Sequence, residues 1–184
     1  MHQIRFHGRG GQGVVTSAEL LSTAAFLDGR HAQAFPMFGS ERTGAPIQAF
    51  CRVGDAPIRA HEPIVRPDVL IVQDATLLHH VDLFTGLAAD GLVLINSPRH
   101  AAGLGLADLA ADVRTVPASA IATEHLGRSM PGTALLGALA AATSLVSRAS
   151  LVSAVRMRFT GAVADGNVQA IDDGWTAIEA GAYA

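Results

Sequence analysis

The residues best placed to do chemistry are the glycines of Gly8-Arg9-Gly10-Gly11-Gln12-Gly13, which follow the short alternating strand Ile4–His7 and precede a helix. In that setting glycines let the backbone turn sharply and approach a ligand, while the N–H groups at the helix start attract a phosphate. A nicotinamide dinucleotide would also need an acidic side chain about 20 positions further on to hold its ribose. Here Asp28 sits at the helix stop and Ala32-Gln33-Ala34-Phe35 carries no acid, so that reading fails. Phosphate binding and close packing, of the helix on its strand or of a partner chain on the turn, stand as equal alternatives.

A second candidate is the Gly-bounded run Gly39-Ser40-Glu41-Arg42-Thr43-Gly44, where two charges stand side by side in a chain that is only 16% charged. The planar fork of Arg42 suits a bidentate grip on a phosphate, a carboxylate or a partner chain. Against this stands a solvated turn with a surface ion pair worth about 0–1 kcal/mol, which spacing alone favours. The eight histidines show no ligand pattern. His79 and His80 are adjacent and diverge by about 100° on a helix, so they share no metal easily, and only His7 adjoins a candidate site. Cys51 lies within a strand pattern, where burial is the expectation. One cysteine in 184 residues excludes an internal disulfide, a four-Cys zinc site and an iron–sulfur cluster held by this chain alone. No Ser, His and acid arrangement can be assembled from spacing.

These residues need elements to position them. Val14, Ala18, Leu21 and Ala25 share one face of a helix that stops at Asp28-Gly29. Ile47–Val53 alternates as a half-buried strand and is expected to pair antiparallel. Val69–Val72 and Leu92–Ile95 read as strands covered on both faces. Between them, Asp74 should cap a helix carrying Leu77, Val81, Phe84 and Ala88. Asp112–Val116 is a weaker strand, followed by a short helix over Ala118–Leu126. Three helices close the chain: Thr133–Val146, one capped by Ser147 and reaching Phe159, and a last one with Val168, Ile171, Trp175 and Ile178 on a face. The alternation predicts a Rossmann-like α/β fold, a largely parallel sheet with helices on both faces and a C-terminal helical segment from about residue 129 to 184. Residues 1–184 form a single domain, with no internal repeat.

Composition bounds the rest. Hydrophobic residues make up 49% and mean hydropathy is +0.33, so the chain can bury a core, and its apolar surplus suits a surface covered by another chain. Thirteen basic residues, all Arg, against 16 acidic give a net charge of −3, without the footprint of a nucleic-acid binder. The 19 uncharged residues between Arg128 and Arg148 are interrupted by Pro131-Gly132, and what remains has the length of a core helix, so no membrane span is expected. The N-terminus has no signal-peptide core, which predicts a cytoplasmic protein.

Ile4–Val14, Phe35-Pro36-Met37-Phe38-Gly39-Ser40-Glu41-Arg42-Thr43-Gly44-Ala45-Pro46 and Thr133-Ala134-Leu135-Leu136-Gly137-Ala138 resemble the gamma subunit of pyruvate and other 2-oxoacid:ferredoxin oxidoreductases, and the likeness runs across nearly the whole chain. The Gly-Gln-Gly turn is shared with the small subunit of indolepyruvate:ferredoxin oxidoreductase. That type usually reads like Met-Ser-Gln-Arg-Gly-Gly in the second loop, whereas this loop looks like the pyruvate and branched-chain type, with Thr43 where a second Arg often stands. The resemblance implies an accessory subunit of an enzyme that oxidatively decarboxylates a 2-oxoacid with coenzyme A. Thiamine diphosphate, Mg and 4Fe–4S clusters then belong to alpha, beta and delta-type partners, and electrons pass to ferredoxin or another acceptor. Gly8, Arg9, Gly10, Gly11, Gln12, Gly13, Gly39, Ser40, Glu41 and Arg42 become the candidate contacts to coenzyme A or to a partner. The competing readings are a stand-alone nucleotide- or CoA-binding module, an indolepyruvate-type small subunit, and a purely structural subunit.

Overall fold

The computed structural model describes residues 1–37 and 44–181. Six strands form one sheet in the order β2-β3-β1-β4-β5-β6: β1 is His2–Arg9, β2 His31–Met37, β3 Pro46–Gly54, β4 Val69–Val72, β5 Leu92–Asn96 and β6 Asp112–Val116. β1, β4, β5 and β6 run parallel, while β3 pairs antiparallel with both β1 and β2, as its alternation predicts. Five α-helices follow the chain as α1 Val14–Leu27, α2 Ala118–Leu126, α3 Gly132–Thr143, α4 Arg148–Arg158 and α5 Gly161–Glu179. No helix among the described residues is long and apolar enough to cross a membrane.

Strand alternation divides the interior in two. Ile4, Phe6, Ala49, Cys51, Val53 and Ile71 face the α-helices, whereas Leu70, Val72, Val93 and Ile95 face a second apolar cluster. That second face also buries two cations. Arg5 Nη2 donates to the carbonyls of Leu83 (2.6 Å) and Thr85 (3.1 Å), and Arg52 donates to those of Ala60 (3.1 Å) and Glu62 (2.7 Å) while lying over the Phe35 ring. Carbonyl acceptors in place of carboxylates let each guanidinium pin a stretch of loop to the sheet. Burial lowers the pKa of Arg5, with the charge of Asp82 acting in the other direction.

The second face differs from expectation. The helix predicted from Asp74 to Ala88 is a 3₁₀ helix over Ala75–His79 followed by turns, and a second 3₁₀ helix, Ala101–Leu104, completes the cover. Asp74 caps it as predicted, accepting from Thr76 N. Further on, the Asp82 carboxylate takes the backbone N–H groups of Phe84 and Thr85 (both 3.2 Å), offering the backbone an alternative to the helical ladder. Gly86 then turns at φ +79°, where a Cβ would lie 1.9 Å from the Val65 carbonyl. The apolar spacing was that of residues reaching one cluster from a curled loop, and spacing alone does not separate the two.

The other helices lie close to their predicted places. Ser147 caps α4 through Ser150 N (3.1 Å), and α3 ends at Thr143 rather than Val146 because Ser144 adopts φ +53° while Thr143 Oγ1 accepts from Leu145 N. α3 and α5 cross at two glycines. A Cβ on Gly137 would sit 2.1 Å from the Ile171 carbonyl, and one on Gly174 would sit 1.9 Å from that of Ala134. Gly174→Ala should therefore destabilise the chain by about 1–3 kcal/mol through overpacking, read as a lower urea midpoint with unchanged slope.

Candidate functional site

The parallel strands β1, β4, β5 and β6 end on one edge of the sheet, which is where ligands of open α/β sheets gather. The Gly8–Gly13 turn joins β1 to α1 there. Gly8 serves packing: a Cβ would lie 2.5 Å from Val14 Cγ2 and 3.3 Å from Gln73 Cβ. Gly11 and Gly13 serve conformation, with φ of +96° and +74°. Nothing lies within 4 Å of where a Gly11 Cβ would be, so the backbone there is open to an approaching group.

The polar side chains of the turn are engaged with one another. Gln12 folds back, its Oε1 accepting from Arg9 N (2.8 Å) and its Nε2 donating to Asp74 Oδ2 (2.9 Å). Arg9 donates from Nε to the same carboxylate oxygen (3.2 Å), from Nη2 to Thr76 Oγ1 (2.7 Å) and from Nη1 to the Gly44 carbonyl (3.0 Å). Burial works to raise the Asp74 pKa, but hydrogen bonds from Thr76 and Gln12, together with the Arg9 charge, outweigh it and hold the carboxyl below its ordinary value. Gly10 N donates to the Ala45 carbonyl (2.9 Å) and Gly44 N to the Gly10 carbonyl (3.1 Å). The Gly turn is thus sewn to the described end of the second loop. Gly39, Ser40, Glu41 and Arg42 themselves lie outside the described residues.

Gln73, Asn96, Ser119 and Ser129, which sequence reasoning missed, complete this edge. Gln73 is fully buried after β4; its N donates to the His7 carbonyl (2.7 Å) and its Nε2 to Ser17 Oγ (2.7 Å), while Oε1 has no partner. Asn96 at the end of β5 donates from Nδ2 to the Gln73 carbonyl and to Ser119 Oγ (both 2.8 Å), and its Oδ1 accepts from Ser119 N (2.9 Å), capping α2 from outside the helix. The hydroxyls of Ser119 and Ser129 share a hydrogen bond of 2.8 Å. A polar residue directly after a uniformly apolar strand was the available signal. His7 faces the second side of the sheet. Burial and the neighbouring Arg5 charge lower its pKa to about 3, so it is neutral at physiological pH and no cation for an anionic ligand. Asp28 is far from the turn, at the other end of α1, and takes Ser147 N (2.6 Å) and the hydroxyls of Ser147 and Ser150.

The edge therefore gathers amides, hydroxyls, an open glycine backbone and one ion pair that neutralises itself. Such a set can bind and position a ligand, and among the described residues it brings together no Ser, His and acid arrangement. Cys51 is fully buried in β3 with its thiol pushed up by desolvation, which removes it from nucleophilic or ligating chemistry. Among the described residues no three His, Cys, Asp or Glu side chains are grouped to hold a metal.

Residues 3–177 match the family model described as pyruvate ferredoxin/flavodoxin oxidoreductase. The pyruvate synthase subunit PorC of Methanothermobacter marburgensis is 48% identical over 92% of this chain and 93% of its own. The pyruvate/ketoisovalerate oxidoreductases common subunit gamma of Thermococcus kodakarensis is 44% identical over 94% and 95%. Among solved structures, pyruvate oxidoreductase subunit PORC of Thermotoga maritima superposes with a TM-score of 0.85 at 34% identity, covering 95% of each chain. The 2-oxoglutarate:ferredoxin oxidoreductase of Magnetococcus marinus shares the fold at a TM-score of 0.74 and 18% identity, over 97% of this chain and 31% of its own.

Two acid-side tests follow from the site. His7 refuses a proton when folded but takes one at about pH 6.5 when unfolded, so its contribution is complete above pH 6.5 and is lost as pH falls towards 3. His7→Gln should flatten unfolding free energy against pH over that window. Asp74, lowered when folded, contributes above the ordinary carboxylate range and loses that contribution below it. Asp74→Asn should speed amide exchange at Gly10 and Gly44 at least tenfold at neutral pH; unchanged exchange there would show that the ion pair does not secure the turn.

Proposed function

The chain belongs to the pyruvate ferredoxin/flavodoxin oxidoreductase family, and from that premise we propose that it is the gamma-type subunit of a multi-subunit 2-oxoacid:ferredoxin oxidoreductase, which converts a 2-oxoacid and coenzyme A to acyl-CoA and carbon dioxide while two electrons pass to ferredoxin or another acceptor. The observation that carries the proposal is identity of 44–48% to subunits of that kind over more than nine-tenths of both lengths. The chain's own chemistry suits an accessory role. Its one cysteine is buried, and the carboxylate and guanidinium at the strand edge are spent on each other. A cluster or a thiamine diphosphate–Mg pair does not fit this donor set, so these groups are assigned to alpha, beta and delta-type partners, with ferredoxin or another acceptor served through the complex.

Coenzyme A fits the edge better. When bound it supplies the thiol that accepts the acyl group. The residues proposed to hold it are the Gly8–Gly13 turn, with its open backbone at Gly11, and Gly39, Ser40, Glu41 and Arg42, which in sequence shortly precede Gly44, the residue bonded to Gly10 and Arg9. Helix α1 directs its N-terminus at the same place, favouring phosphate. A purely packing role for the turn is favoured by one observation, the mutual engagement of Arg9, Gln12 and Asp74.

The test is affinity purification of the tagged chain from cells co-expressing the other subunits. Larger subunits should be retained and should give CoA-dependent, 2-oxoacid-dependent ferredoxin reduction, which the isolated chain should lack; activity of the chain alone overturns the proposal. In the assembled enzyme Arg42→Ala should raise KM for CoA about tenfold, the value of one charge-assisted hydrogen bond, with 2-oxoacid decarboxylation little changed. Loss of subunit recovery with unaltered CoA kinetics would make Arg42 an interface anchor instead.

A further inference from the structure

A trench runs along the outer surface of α1, away from the sheet. Its wider part, a cavity of about 200 Å³ between α1 and α4, has Leu20 and Ala154 as its floor, Thr16 and Thr23 on one wall and Met157 on the other. Thr16 and Leu20 also line a narrower cavity of about 30 Å³ that reaches Gln12 and Gly13, so the trench opens onto the Gly turn. The 4 and 3 residue steps from Thr16 to Leu20 to Thr23 place all three on one face of α1.

Two features mark this surface as unfinished. Met157, on the groove wall, is 71% exposed, and Phe26, one helical step beyond Thr23 on α1 and outside the cavity lining, is 73% exposed; a chain seated on α1 and α4 would take both from water. The wall is a methionine, whose flexible thioether moulds to a partner. The charges differ from those elsewhere on α4. Arg148 and Arg156 are paired with Asp172 and Asp165, whereas Glu19 and Arg158, which flank the groove, form no ion pair among the described residues.

We infer that the α1–α4 trench receives a segment of a larger partner subunit that presents an apolar side chain to the Leu20–Met157 groove and an acidic side chain to Arg158. The inference rests on the gamma-subunit reading and adds the surface through which the assembly holds this chain. Continuity with the Gly turn means that the docked segment ends beside the proposed coenzyme A path, so docking and ligand access share one wall. Charge matching at the rim fixes register while the apolar contact supplies the burial.

The purified complex carries the test. Hydrogen peroxide should oxidise Met157 at least tenfold more slowly in the native complex than in the same complex unfolded in urea; rates within twofold overturn the inference. A photo-crosslinking residue placed at Thr23 should join the chain to a larger subunit, and a crosslink to a second copy of this chain overturns it. Arg158→Glu should reduce recovery of the larger subunits at least fivefold, while Arg156→Glu stays within twofold; equal effects of the two overturn the charge match. If the wild-type chain retains no larger subunit, it is the gamma-subunit reading that fails, and the docking inference with it.

Discussion

The space between β1 and α1 admits no side chain at Gly8, and much of the architecture follows from that exclusion. With Val14 and Gln73 pressed against the Gly8 backbone, α1 must leave the strand at once and lie flat on the sheet. The turn that achieves this needs φ values of +96° and +74° at Gly11 and Gly13, which only glycine adopts without strain. The same approach brings Ser17 within reach of Gln73, and Gly132 then lets α3 start against Ser17, where a Cβ would come within 2.1 Å of its hydroxyl oxygen. One steric constraint therefore sets the position of two helices and of the buried amide between them.

A turn this tight exposes backbone, and the polar side chains around it supply the compensation. Asp74 accepts from Arg9, Gln12 and Thr76, and Arg9 reaches on to the Gly44 carbonyl. The net result is a pair of opposite charges that cancel locally while holding three chain segments in register. Among the described residues, the charged and amide groups of the turn are satisfied by one another, and what stays open is the backbone at Gly11 and the buried Oε1 of Gln73.

Legibility of the sequence followed the range of the interactions involved. Helix stops at Asp28-Gly29, the Ser147 cap and the buried runs of β4 and β5 depend on neighbours in sequence, and all are where spacing puts them. The segment after Asp74 depends on a distant contact, the Val65 carbonyl against Gly86, and there periodicity misread a curled loop as a helix. The strap pinned by Arg5 and Arg52 was invisible for the same reason, because its acceptors are carbonyls that any sequence offers. In the candidate site the glycines were legible from their pattern, and the polar shelf of Gln73, Asn96 and Ser119 was not, since each is an ordinary polar residue until the parallel strands align their ends.

The distribution of charge ties these levels together. The chain buries two guanidiniums against carbonyls on one face of the sheet, neutralises Arg9 at the strand edge, and ladders Arg148 and Arg156 onto α5. In a protein with so few charges, each cation so used fixes loop, turn or helix position. Arg158 stands apart, at the rim of an apolar groove, with its guanidinium 5.7 Å from the centre of the Phe159 ring and no carboxylate partner among the described residues. Arg158 is exposed, and a guanidinium resting over an aromatic ring at such a site gains about 0.5–1 kcal/mol of cation–π attraction, which holds it in place for an incoming carboxylate. Among the described residues, Arg158 is thus the helix arginine left without a carboxylate partner, at a rim where an incoming chain can use it.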